Sequence, residues 1–451
     1  MAVSAGRGFS LAVTENGSIV AFGQNSNGQL GNGLLNNQDA PILLDKNLVF
    51  AGQDVVMVST GNAHSACVTI DGSVWTWGAN SEGQLGLDHN LDQTTPVRIT
   101  WNQFGDSHAL MVACGHSYTM VLISEGHVWT CGNNKFGQLG FHDNVPRMRL
   151  TQIILASFDG MLIGMIAAGS SHCLALSKDD GTLWAWGLNA FGELGLGDET
   201  EAHMVSIPHP VSRNAFAGSA VTFIKAAWGC SMFVTADNAL YACGNNLTLG
   251  LGTSINHRTM QCVGGADVFG EAGVRMVSCA HTHSLIVGHN GTKWSTGSGL
   301  HPVLGTNNQA GINNIQPVDI PREYLDDDDV IVAAVGNMHS IVVTGHGKLY
   351  SWGAGSEHLQ GSGLGYTAVQ AQWRARPVPD NNFDGQRIGR WHNATEENTI
   401  AFLLGYNTEH AMSGVGEEIL QYIFSQMRLR SRDGTSPGFQ DLLGVPALWR
   451  D

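Results

Sequence analysis

The side chains in this 451-residue chain with the most chemical reach are eight cysteines and a run of four aspartates. The cysteines are Cys67, Cys114, Cys131, Cys173, Cys230, Cys243, Cys262 and Cys279, and no two form a Cys-x-x-Cys pair. None shares with histidine the spacing a tetrahedral zinc site needs, so buried free thiols in a reducing compartment are expected instead of disulfides or metal ligands. The run Asp326, Asp327, Asp328 and Asp329 is a candidate site for a basic protein partner, weighed against a merely solvated connection. The chain has no Gly-x-Ser-x-Gly elbow, no Walker-type Gly-x4-Gly-Lys-Ser/Thr loop and no His-Glu-x-x-His. No catalytic, cofactor-binding or metal-ligating residue is therefore assigned, and no cofactor is expected.

Composition narrows the partners. Lys and Arg number 22 against 38 Asp and Glu, for a formal charge of −16. Such a surface repels phosphate backbones and anionic headgroups, which disfavours nucleic acid as a partner. No apolar run approaches the ~20 residues needed to span a bilayer, and the opening MAVSAGRGFSLAVT lacks a basic segment followed by a long apolar one. A soluble, intracellular protein without membrane insertion is the expectation.

What must position any functional loop is a repeat. Segments such as IVAFG, VWTWG, LWAWG and LYSWG end on Gly23, Gly78, Gly132, Gly187, Gly244, Gly297 and Gly353, at intervals of 55, 54, 55, 57, 53 and 56 residues. Six residues before each lies a turn residue: Gly17, Gly72, Gly126, Gly181, Asn238, Gly291 and Gly347. Asn-Gly and Asp-Gly at several of these turns favour type I′ hairpins, because both central residues need positive φ. Alternating apolar stretches flank each turn, and two further strand-like runs complete a unit of four short strands. Cys131 and Cys243 take the place held by Trp77, Trp186 and Trp352 in other units. One such unit cannot bury both of its faces, whereas seven arranged radially cover one another. The expected fold is all-β, a seven-bladed β-propeller of about 55-residue repeats with a short C-terminal helical extension.

The segments GNAHSACVTIDGSVWTWGANSEGQLG and GSSHCLALSKDDGTLWAWGLNAFGELG closely resemble the repeat of the regulator of chromosome condensation (RCC1-like) family, and seven copies reach from residue 2 to about 380. That family's repeat places a histidine three residues after its first glycine. The seven matching positions are read here as Phe9, His64, Tyr118, His172, Met232, His283 and His339. Substitution by Phe, Tyr and Met points to packing with an internal hydrogen bond and against a metal ring. The resemblance implies a protein-binding propeller. Its members serve nucleotide exchange on the Ran GTPase with nucleosome docking, scaffolding, light sensing in plants, and mitochondrial or ciliary assembly. A basic tail and a polar wedge insertion, on which chromatin docking and exchange depend in the family, are not evident here. The Trp-Arg-His tripeptide of the plant photoreceptors is absent, and Trp228 is read as lying ahead of its repeat glycine.

From Phe383 the pattern degrades into an eighth half-repeat, expected to assist ring closure, although residues 3 to 14 already read as a first half-repeat. The propeller is accordingly bounded at 1–404 and the extension at 405–451. In the extension an amphipathic helix of about 415–430 carries an apolar stripe that includes Ile419, Ile423, Phe424 and Met427. That stripe is either packing for the propeller or a docking element for a second protein. The leading functional expectation is a non-enzymatic protein-interaction scaffold. The alternatives are a guanine nucleotide exchange factor for a Ran-like small GTPase and a structural subunit of a larger assembly.

Overall fold

The computed structural model describes residues 3–99, 104, 107–197, 203–253, 255–298, 303–306, 314–354, 364 and 372–378. Within them, seven four-stranded antiparallel sheets follow one another along the chain, each made of consecutive strands in the order inner to outer. Blade two is representative: Val55–Thr60, His64–Thr69, Val74–Gly78 and Gln93–Arg98. The two middle strands are buried along their whole length in nearly every blade, because each sheet is covered by a neighbour on both faces.

The innermost strands pack side by side around an axis, and Val330–Val335 of blade seven lies against Val3–Ala5 of blade one. Val3, Ala12, Val20 and Phe22 meet Ala334, Ile341, Val343 and Leu349 at that seam. All four strands of blade one come from residues 3–44. The half-repeat from Phe383 and the helix of about 415–430 lie outside the described residues. Among the described residues, no helix is long and apolar enough to cross a membrane.

The aligned glycine has a steric cause. At Gly78 the backbone takes φ +99°, and an added Cβ would stand 2.6 Å from the carbonyl oxygen of Ala63, in the turn that enters the second strand. The outer strand shifts register at this point. A side chain there would push the blade's inner turn away from its third strand, so glycine recurs at every 53 to 57 residues.

The connections between blades carry a second periodicity. Phe50, Phe158, Phe216 and Phe269 are buried on them, edge-on to Trp75, Trp184, Tyr241 and Trp294 at centroid distances of 5.1 to 5.7 Å. These aromatic plugs seal the ends of the seams on one face of the disc.

Candidate interaction face

Each blade sends two loops to the other face, the loop face. A short turn joins its first and second strands near the axis, and a longer loop joins its third and fourth further out. The short turns are tied together around the axis by backbone hydrogen bonds. Asn62 N–H donates to His116 O (3.3 Å), His116 N–H to Ser170 O (3.2 Å), Ser170 N–H to Ala227 O (2.9 Å) and Asn337 N–H to Gly6 O (3.4 Å). The hydroxyl of Thr282 donates to Asn337 O at 2.8 Å. These bonds tie blades two to five to one another, and blades six, seven and one to one another, at the axis.

The register of blade five corrects two sequence assignments. Cys230 faces Gly244 just as His64 faces Gly78 and His172 faces Gly187. Ala227 N–H donates to Cys230 O at 3.0 Å, repeating the bond from Gly61 to His64. Ala227 therefore holds the turn-glycine place, Cys230 and not Met232 holds the histidine place, and Trp228 follows the glycine position instead of preceding it. Gly229, two residues along, supplied the misleading signal. The stretch still departs from the photoreceptor tripeptide, since Gly229 and Cys230 stand after the tryptophan.

Trp228 is 40% exposed. It stacks on Phe191 from the outer loop of blade four (centroids 5.3 Å, 37°) and meets His281 of blade six edge-on (4.3 Å, 70°). Beside Phe191 opens a shallow hollow of about 350 Å³, lined also by Ala190, Asn256, His257, Arg258 and Thr259. Two glycines set this geometry: a Cβ on Gly229 would come within 2.8 Å of the Phe191 ring, and one on Gly192 within 2.4 Å of Arg258 Cα.

The charges on this face are unevenly paired. Arg147 bridges Asp143 at 2.6 Å and Arg149 approaches Asp88 at 3.6 Å. Arg258 and Arg7 have no carboxylate within 4 Å among the described residues. The carboxyl whose charge is felt by Arg258 is Glu193, which occupies the place of Gln29, Gln84 and Gln138 in other blades and is fully buried. One of its oxygens accepts the Phe191 N–H at 2.7 Å and the other has no partner. Burial raises its pKa to about 7, so near neutral pH it is only partly ionised. Burial also lowers the pKa of His281, and of His116 with help from the Arg7 charge, leaving both largely neutral.

The aspartate run lies on the opposite face, between blades six and seven, and is largely consumed within the chain. Lys348 (3.0 Å) and the Tyr350 hydroxyl (2.7 Å) engage Asp326, and the hydrogen bonds from those two groups lower its pKa. His346 donates its N–H to Asp328 at 3.0 Å, and Arg322 meets Asp329 at 2.6 Å. Arg322 also donates to the backbone carbonyl of Asp327 at 3.2 Å. Ile419, Ile423, Phe424 and Met427 lie outside the described residues. Of the cysteines, Cys262 is exposed and the other seven are buried, all as free thiols. Among the described residues, no three His, Cys, Asp or Glu side chains gather as a metal site.

Residues 1–325 match the RCC1-like domain family. The ultraviolet-B receptor UVR8 of Arabidopsis thaliana is 27% identical over 364 residues, which cover 80% of this chain and 78% of UVR8. The probable E3 ubiquitin-protein ligase HERC6 of Homo sapiens is 30% identical over 291 residues, 63% of this chain but 27% of HERC6. Human HERC2 is matched over 6% of its length, so the chain spans a small part of these ligases. Human WBSCR16 superposes with a TM-score of 0.69 at 22% identity, covering 80% of this chain and 94% of WBSCR16. Prp20p from Saccharomyces cerevisiae, described together with its binding to Gsp1p and histones, gives 0.68 at 21%, covering 82% and 87%. At such identities the structural likeness shows the fold.

Proposed function

Because the chain belongs to the RCC1-like domain family, whose propeller its relatives carry in quite different proteins, we propose that it is a non-enzymatic interaction platform whose protein partner docks on the loop face. One observation carries this reading. The exposed Trp228 is braced by Phe191 and His281, and Phe191 lines one hollow with Arg258, which has no carboxylate within 4 Å among the described residues; aromatic and guanidinium groups of this kind dominate interface energetics. The turn that carries Trp228 is anchored at Ala227, which accepts the Ser170 N–H (2.9 Å) and donates to Cys230 O (3.0 Å), so little ordering entropy is lost on binding. The aspartate run, by contrast, already spends most of its charge on Lys348, His346 and Arg322.

The test places a photo-crosslinking residue at position 228 on the loop face or at position 48, where Leu48 is exposed on the opposite face. Partners should be captured from 228. Capture from 48 alone would overturn the reading. Since Prp20p is described as binding Gsp1p, release of labelled GDP from a Ran-type GTPase is followed in parallel, and strong acceleration would replace the platform by an exchange factor.

A further inference from the structure

We infer that the hollow beside Phe191 and Arg258 takes a short acidic peptide segment bearing one apolar or aromatic side chain. The apolar group sits against Phe191, the member of the Phe191–Trp228–His281 stack that lines the hollow, and a carboxylate meets the Arg258 guanidinium. This rests on the reading of the loop face as the docking surface and names its ligand chemistry.

Charge complementarity selects the ligand. The chain carries an excess of sixteen negative charges, and its described cations in loops are mostly consumed by carboxylates: Lys46 by Asp54, Arg98 by Asp71, Arg147 by Asp143, Arg213 by Asp180. Arg258 is an exception, partly buried in the lining of the hollow with no carboxylate within 4 Å among the described residues. A guanidinium binds carboxylate through two parallel hydrogen bonds, a geometry an ammonium cannot offer. Among the described residues, the carboxyl that interacts with Arg258 is Glu193, which is buried beneath the Phe191 loop and partly neutral, so it does not compete for the exposed fork.

The aromatic half of the site is preorganised. Phe191 holds one side of Trp228 and His281 the other, while about two-fifths of the indole stays open. Neither Gly229 nor Gly192 has room for a side chain, so the backbone itself fixes how close Phe191 and Arg258 come. The size of the hollow, about 350 Å³, suits one or two side chains and not a folded domain edge. A long polyanion is disfavoured, because the overall charge of −16 repels it along its length beyond the hollow.

The experiment uses the full chain and fluorescence anisotropy with a fluorescein-labelled peptide, Asp-Glu-Asp-Phe-Asp-Glu, and its counterpart with Asn and Gln in place of the acids. The acidic peptide should bind at least tenfold tighter than the amide peptide. Arg258→Ala and Trp228→Ala should each weaken it about tenfold, while Leu48→Ala on the opposite face leaves it within twofold. Thermal midpoints verify folding, and Arg258→Gln and Trp228→Phe replace any variant that fails to fold. Equal binding of the two peptides, or indifference to both loop-face variants, overturns the proposal. So does tighter binding of an oligodeoxythymidylate, which would assign a polyanion site. Concentration-dependent self-association that Arg258→Ala abolishes overturns it too, by making the acidic face of a second copy the occupant. Should the peptide fail while crosslinking from position 228 persists, the docking face stands and only its ligand chemistry is wrong.

Discussion

Two seams of the ring use the same strand positions with different chemistry. Where blade seven meets blade one, His339 Nε2 lies 2.8 Å from Ser10 Oγ. The same device recurs as His64 to Thr119 (3.0 Å), His172 to Ser231 (3.0 Å) and His283 to Ser340 (2.7 Å), and Tyr118 substitutes by donating to His172 O at 2.6 Å. Where blade five meets blade six, the position holds Cys230, which takes a hydrogen bond from Thr248 Oγ1 (3.1 Å). Ser284 then crosses the seam to Thr248 O at 3.0 Å. Between blades one and two, Phe9 fills the histidine place, and Ser65 donates across the seam to Gln29 O at 2.8 Å. A seam therefore needs its volume filled and its polar atoms satisfied, and histidine is one solution among four. Only the histidine solution makes a seam sensitive to pH.

Acid should separate the two classes most strongly. His64, His172 and His283 are fully buried, and burial lowers their pKa from 6.5 to about 3, with His339 lowered to about 4. Below pH 6.5 the unfolded chain binds protons that the folded chain refuses, so stability falls as pH drops from 6.5 toward 3. At pH 5 the loss is about 2 kcal/mol per histidine. Hydrogen exchange at pH 7 and pH 5, corrected for intrinsic rates, reads the pattern. The strands His64–Thr69, His172–Ser177, His283–Gly288 and His339–Thr344 should lose protection before Phe9–Val13 and Cys230–Thr235. Uniform loss would mean that the ring opens as one unit and that the seam chemistry does not grade it.

At neutral pH the comparison can be made by substitution. His339→Ala removes a buried ring and the bond that closes the propeller, and should cost about 3 kcal/mol in urea denaturation. Cys230→Ala removes one sulfur from an apolar cluster and should cost about 1 kcal/mol. Equal costs would show that the histidine acts only as filler.

The blades were legible because the glycine at the end of each third strand answers a backbone collision, visible in sequence as a strict interval. The internal role of the histidines was legible from their replacement by Phe9 and Tyr118. Blade five was misread because Ala227 and Cys230 replace both markers at once while Gly229 imitates one of them. That error removed Trp228 from consideration, and the stack with Phe191 and His281 joins residues 37 to 90 positions apart that no local pattern connects. The aspartate run looked free because its neutralising groups, Lys348 and Tyr350, come from the next blade's hairpin. The aromatic plugs were missed because Phe50 and Trp75 belong to different repeats and meet only when the blades stack.

The smallest expected effect has the opposite sign and falls in the seam between blades six and seven, which carries the His283 to Ser340 bond. Lys293 begins a third strand where other blades place Ile19, Val74, Val128, Leu183, Leu240 and Leu349. It is 4% exposed, and its ammonium has no hydrogen-bond partner among the described residues. Burial lowers its pKa, with Arg322 adding to the shift and Asp319, Asp329 and Asp327 opposing it. A desolvated, unbonded charge costs more than the distant carboxylates return, so Lys293→Met should raise stability by about 1 kcal/mol at pH 7. The lowered folded pKa means that the unfolded chain holds the proton more tightly. The parent therefore gains stability as pH climbs toward 10.5, and the advantage of the variant should shrink over that range. If Lys293→Met instead lowers the urea midpoint, the three aspartates outweigh desolvation, and that seam is held by charge as well as by its histidine.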